Sequence, residues 1–286
     1  MGRSSAATLW CVCALSGCFS FGGPDDTPYN RGVDAFDQRR YPDAVRWFRR
    51  AHELEPEDAR PLVNLAITFD RLGHAEQAEA AYRQALALEA DEPRALANLG
   101  ALLAEQGKRD EARPLLARAT EVEPSSAFPW VARGWFEERA GNGAEAERWY
   151  RAAIEAEPAA SSGHYRLGRL LAARGDGEGA RATLRVALAA EPEDVEALRA
   201  LLGLVDPSAP DGEGLALLRQ LVQLVPEDGD AWLALGRAFL AAGDPERAAM
   251  ALWHARDRSA RAPERRAAVA HALRAAYAVL ARDLPE

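Results

Sequence analysis

Three cysteines occur in 286 residues, and Cys11, Cys13 and Cys18 all fall in the first eighteen. The body of the chain therefore holds no disulfide framework, no thiolate zinc site and no cysteine nucleophile. Lysine occurs once, at Lys108, so positive charge is carried almost wholly by arginine. That charge is in the minority: 35 Lys and Arg face 44 Asp and Glu, leaving a net −9. A chain of this sign repels phosphate backbones, which excludes nucleic acid as a general partner. Aromatic residues are 7% of the chain and β-branched residues are also few, which disfavours strands.

The usual sequence signs of chemistry are missing too. The histidines are His52, His74, His164, His254 and His271. No two stand three or four apart, as a metal-binding pair on one helix would require. There is no Gly-x-x-x-x-Gly-Lys phosphate loop and no Gly-x-Ser-x-Gly nucleophile turn. The many carboxylates fall where helix surfaces and helix starts would place them, and there they offset helix dipoles. The expectation is a protein that is not an enzyme and that uses no cofactor and no metal.

What is present is alanine, the strongest helix former, followed by Leu, Arg and Glu. These residues recur with a period of 34. A small residue stands at Ala44, Ala78, Ala112, Ala146, Ala180, Gly214 and Ala248. Seven residues later come Ala51, Ala85, Ala119, Ala153, Ala187, Leu221 and Ala255. Twelve before stand Gly32, Ala66, Gly100, Gly134, Gly168, Leu202 and Gly236. Between the first two series lie large apolar residues: Phe48, Tyr82, Leu116, Tyr150, Leu184, Leu218 and Leu252.

Each unit reads as two antiparallel helices. Small residues let the helix backbones approach, and large ones are expected to fill the space between neighbouring units. Gly73, Gly107, Gly141, Gly175 and Gly243 mark the turn inside a unit. Pro56, Pro124, Pro158, Pro192 and Pro226 close units, since proline cannot continue a helix. In the sixth unit Leu202 and Gly214 suggest an exchange of large for small. Asp206-Pro207 and Pro210 should shorten that unit's first helix and kink the chain near 203–214. After Pro263, the residues Val269, Leu273, Tyr277, Leu280 and Leu284 form an apolar stripe at helical spacing, with Arg265, Arg274 and Arg282 opposite. A terminal helix that caps the last apolar face is expected there.

Trp232-Leu235-Gly236-Phe239 followed by Ala248 and Leu252 resembles the tetratricopeptide-repeat (TPR) pattern, as does Trp130-Gly134-Ala146-Tyr150-Ala153-Pro158. The resemblance covers residues 25–260 as seven repeats, with 261–286 as the cap. It implies an all-α, right-handed α-solenoid of helix pairs that binds another protein, holding a peptide or partner helix on the concave side lined by the first helices. The positions that would line it are Tyr29, Val63, Ala97, Val131, Tyr165, Arg199 and Leu233, and Val33, Ile67, Ala101, Trp135, Arg169, Gly203 and Arg237. Arg166 stands close by. The expected groove is apolar and aromatic at first and arginine-rich later, which suits an apolar segment with an acidic tail, or an amphipathic helix. The Lys-and-Asn clamp of TPR co-chaperones is absent from these positions.

The N-terminus reads as an address. Arg3 precedes the apolar run Ala6 to Leu15, which is far short of the roughly 20 residues of a bilayer-spanning helix and suits a signal peptide. The run ends in Leu15-Ser16-Gly17-Cys18, which resembles the lipobox of bacterial lipoproteins. The resemblance implies a signal peptide at 1–17, removal before Cys18, acylation of Cys18 by chains such as palmitate, and a lipidated linker at 18–27. Phe19 after the cysteine implies the outer membrane, facing the periplasm. The expected function is a protein-interaction scaffold or assembly factor on a bacterial envelope membrane, similar in layout to pilotins. The alternatives are an adaptor for cell-wall enzymes and a non-catalytic accessory subunit.

Overall fold

Where a 34-residue period forces each helix pair to pack on the next, the chain can bury its alanines only by stacking. The computed structural model describes residues 27–207, 209, 212–258 and 263–282. Cys18, the apolar run before it and the linker up to residue 26, with Pro210, Leu284 and the Arg282 side chain, lie outside the described residues. Among the described residues there are fifteen helices and no strand.

The chain divides into two compact units, residues 1–166 and 167–286. The first holds α1 (Pro28–Asp37), α2 (Tyr41–Leu54), α3 (Arg60–Arg71), α4 (Ala75–Leu88), α5 (Pro93–Glu105), α6 (Arg109–Val122), α7 (Ala127–Arg139), α8 (Gly143–Ala156) and the start of α9 (Ser161–Ala173). The second holds the rest of α9, α10 (Gly177–Ala190), α11 (Val195–Leu202), α12 (Glu213–Leu224), α13 (Gly229–Ala241), α14 (Pro245–Asp257) and α15 (Pro263–Arg282). Seven consecutive pairs and one terminal helix match the sequence expectation.

The turn has one geometry in five of the seven pairs. Gly73, Gly107, Gly141, Gly175 and Gly243 all take positive φ, between 75° and 85°. The N–H one residue beyond reaches back to the closing turn of the first helix in each case, as Lys108 N–H does to the Leu103 carbonyl at 2.9 Å. This closure satisfies carbonyls that the helix end leaves free. The first pair has no glycine there, and Arg39 takes the same conformation at φ 58°.

The series of small and large residues meet inside each unit. A Cβ on Gly134 would stand 2.5 Å from the ring of Tyr150, and one on Gly236 would stand 2.5 Å from Leu252. Gly32 faces Phe48, Gly100 faces Leu116 and Gly168 faces Leu184 in the same way. The large residues were expected between units; instead five of the seven sit on the glycine of their own first helix, the second and sixth units carrying Ala66 and Leu202 at that position. The missing side chain is what lets the two helices close on a fully buried ring or isobutyl group.

The sixth pair departs from this plan. α11 stops at Leu202 after 8 residues, whereas α13 has 13. Gly214 does not compensate Leu202. A Cβ there would stand 2.5 Å from the Pro207 Cα and 2.9 Å from the Asp206 carbonyl oxygen. The Asp206-Pro207 backbone lies against α12, and only glycine leaves it room.

α15 covers the last pair with Val269, Ala272, Leu273 and Ala276, all buried against α13 and α14. Leu280 is partly buried. Tyr277 was expected in this stripe, yet it is 46% exposed. The stripe runs through Ala276, one residue earlier, which turns Tyr277 outward. Arg265 pairs with Asp230, while Arg274 is exposed.

Candidate functional site

In the first unit, the first helices present a polar line as well as apolar side chains. Asn64 is only 2% exposed. Its amide N–H donates to the Tyr29 hydroxyl at 2.9 Å, and its carbonyl accepts from Arg94 at 3.4 Å. One buried amide thus ties α1 to α3 and α5. The Arg60 guanidinium lies 5.4 Å from the centre of the Tyr29 ring. Burial pushes the Asp58 carboxyl up, but the hydrogen bonds from the Arg60 side chain and backbone outweigh it and hold Asp58 below the usual range. Tyr29, Val33 and Ile67 are half-buried against the core beside this line.

Other expected lining residues are not on a surface. Val63, Val131 and Trp135 are 1%, 0% and 3% exposed, and Ala97 and Ala101 are buried too. α5 carries alanine at both lining positions, so α7 packs closely on it, and the Trp135 indole falls within the same buried cluster. Arg139 lies over that indole at 5.3 Å. These residues hold first helices together and leave nothing of themselves for a ligand. Tyr165 is half-buried, with Arg166 5.8 Å over its ring.

In the second unit, Arg169, Arg199 and Arg237 are all exposed on first helices. Arg199 is engaged: it donates to Asp228 at 2.7 Å, and Asp228 also caps α13 by accepting from the N–H groups of Asp230 and Ala231. Leu233 is buried, and Gly203 is exposed at the end of the short α11.

Two structural series went unread in the sequence. Glu92, Ser126, Asp194 and Asp228 cap the starts of first helices at multiples of 34 residues. Trp130 donates its indole N–H to the Pro124 carbonyl at 3.0 Å, and Trp232 does the same to Pro226 at 2.8 Å. The His164 ring nitrogen meets the Pro158 carbonyl at 3.1 Å. The signal was available as an N–H-bearing ring six residues after a closing proline.

Two of the histidines are ring partners inside their own repeats. His254 packs on Trp232 with ring centres 4.4 Å apart, and His74 packs on Phe69. Among the described residues no group of three or more His, Cys, Asp or Glu could hold a metal, and no helix is long and apolar enough to cross a membrane.

Tetratricopeptide-repeat family models match residues 26–88, 71–128 with 139–205, and 212–263. No curated protein sequence matches the chain. Solved structures that share the fold include these three. One is described as the APC/C hetero-tetramer Cut9-Hcn1, with a TM-score of 0.56 and 14% identity over 87% of this chain. This chain spans only 56% of that one. A second is PilW, described as a widely conserved type IV pilus biogenesis factor, with a TM-score of 0.56 and 20% identity over 73% of this chain and 97% of its own. The third is a thermophilic TPR protein of Thermus thermophilus, with a TM-score of 0.57 and 23% identity over 62% of this chain and 96% of its own. Repeats that match by sequence across most of the described residues, and helix pairs that repeat one turn and one packing, make this chain a member of the tetratricopeptide-repeat family, a protein-interaction scaffold by fold.

Proposed function

We propose that the protein is an assembly factor of a bacterial envelope, anchored through an acylated Cys18 and binding a segment of its client on the first-helix faces. The observation that carries the binding surface is the accessible group Tyr29, Val33 and Ile67 in the first unit, bordered by Arg60 and the Asn64–Arg94 bond. In the second unit Arg169 and Arg237 supply cationic positions on the equivalent face. An apolar segment with neighbouring carboxylates suits both. Leu15-Ser16-Gly17-Cys18 supports the anchor. The likeness to a pilus biogenesis factor over 97% of that chain supports an assembly role.

The test is affinity purification from solubilised membranes with three variants beside the wild type. Cys18→Ala should lose palmitate labelling and leave the membrane fraction. Val33→Asp with Ile67→Asp, and separately Arg169→Glu with Arg237→Glu, should each lose one identified envelope client while keeping the wild-type circular dichroism. Retention of that client by both folded double variants refutes the first-helix reading. Membrane retention of Cys18→Ala refutes the anchor.

A further inference from the structure

A terminal cap on a repeat array ordinarily turns a polar face to water. Here the opposite holds on one side. Of seven large apolar residues left exposed among the described residues, four lie on α14 and α15: Met250, Trp253, Tyr277 and Val279. Three of them adjoin. The Trp253 indole N–H donates to the Tyr277 hydroxyl at 2.7 Å, joining the two helices across their outer seam. Met250 precedes Trp253 by one helical turn and is 60% exposed. Arg256 lays its guanidinium 3.5 Å over the Trp253 ring.

The electrostatics of this end are also reversed. α15 carries Glu264 against Arg265, Arg266, Arg274 and Arg282, a net positive helix on a chain whose total is −9. Arg265 is spent on Asp230. Arg274 stands one turn before Tyr277 and is exposed. Arg256 has an exposed contact to Asp257 at 3.8 Å.

We infer that Met250, Trp253 and Tyr277, edged by Arg256 and Arg274, form a second docking surface for an acidic amphipathic helix of a partner protein. Trp, Tyr and Arg are the residues that most often anchor interfaces. The Tyr277 hydroxyl accepts the indole N–H of Trp253, so covering the indole strands no donor, and the phenol O–H is left to donate to a carboxylate of the partner. The ring pair is held by a hydrogen bond and a stacked guanidinium, so little side-chain freedom is lost on binding. The apolar centre calls for an apolar stripe, and the two arginines call for carboxylates beside it. A second copy would bring arginines against arginines. A membrane anchor would need its indole and phenol tips turned to the headgroups, whereas here they are turned to one another.

The test is a titration of the full chain against two labelled peptides about five helical turns long, followed by fluorescence anisotropy. One carries Leu on one helical face and Glu on the other; its twin carries Lys for Glu. The wild type should bind the Glu peptide and ignore the Lys peptide. Trp253→Ala should weaken binding at least about tenfold, as loss of an interface anchor does. Arg274→Glu, fully on the solvent side, should weaken it similarly and gain binding of the Lys peptide. Equal binding of both peptides, or binding untouched by Arg274→Glu, overturns the proposal. Phosphatidylglycerol vesicles bound in preference to the Glu peptide would overturn it in favour of a lipid surface. Self-association abolished by Trp253→Ala would overturn it in favour of a second copy.

Discussion

Arg39 offers a clean measurement of what the repeat geometry costs when its usual residue is missing. It sits at φ 58°, where five other pairs place glycine. A left-handed residue with a Cβ costs about 1–2 kcal/mol. Glycine gives back about 0.5–1 kcal/mol through its freer unfolded state. Arg39→Gly should therefore stabilise the first pair by about 0.5–1 kcal/mol. The converse substitution is Gly141→Ala, because a Cβ at Gly141 would meet nothing within 4 Å while φ stays at 82°. Its cost is wholly conformational and of the same size. An array of repeats need not unfold in one step, so the assay is native-state hydrogen exchange read helix by helix. Amides of α1 and α2 should exchange about two- to fivefold more slowly in Arg39→Gly, with α13 and α14 unchanged. Arg39→Ala removes the charge near Arg71 but keeps the Cβ, and it should leave protection where it was. If the alanine variant gains as much as the glycine variant, charge and not backbone strain explains the site, and the argument fails.

Gly214→Ala installs the residue that the other six pairs carry, yet it should destabilise by about 1–3 kcal/mol, because the new Cβ meets the Pro207 backbone; a neutral result in urea unfolding would contradict the packing described for α12. Asp228→Ala removes two cap bonds and the Arg199 pair, and should cost about 1–2 kcal/mol by the same assay, with Asp228→Asn recovering most of the cap. Burial pushes the Asp70 carboxyl up, with Arg71 opposing it. The native state then holds that proton to higher pH than the unfolded chain does, so stability falls as pH rises from the ordinary aspartate value of about 4 through the raised native value. Asp70→Asn should be the more stable protein at neutral pH, with the difference fading below about pH 4; a difference that grows on acidification would reverse the assignment.

The helix pairs were legible because the period is long, strict and tied to a mechanism at each position. Glycine at 73, 107, 141, 175 and 243 needed only the helix-end rule, and all five take the left-handed turn. The short α11 was legible from Asp206-Pro207. Partners were harder than positions. Phe48, Tyr82 and Tyr150 were recognisable as core, but a sequence does not say whether a large ring packs forward on the next unit or back on its own. The glycines at 32 and 134 decide this, because each leaves a hole matched to the ring sixteen residues later. Tyr277 was misplaced by a single residue: stripes of 3 and 4 spacing admit both Ala276 and Tyr277, and the smaller residue won the buried place.

The first-helix face shows the same limit in a sharper form. Val33, Ala101, Trp135 and Arg237 share one register in their first helices, so spacing predicts one direction for all four. Their depths differ completely. Val33 is half-buried, Ala101 and Trp135 are buried, and Arg237 is exposed. Register fixes where a side chain points, and the volume of its neighbours fixes whether it is reached by solvent. Alanine at 97 and 101 lets α7 close on α5, and the largest side chain of the series goes into the core as a consequence. Val33 and Ile67 lie where the adjacent helices carry the Tyr29–Asn64 bond, a polar spacer that cannot be squeezed out without stranding a buried amide. An accessible apolar surface therefore survives in the first unit where a buried polar pair holds the helices at their distance.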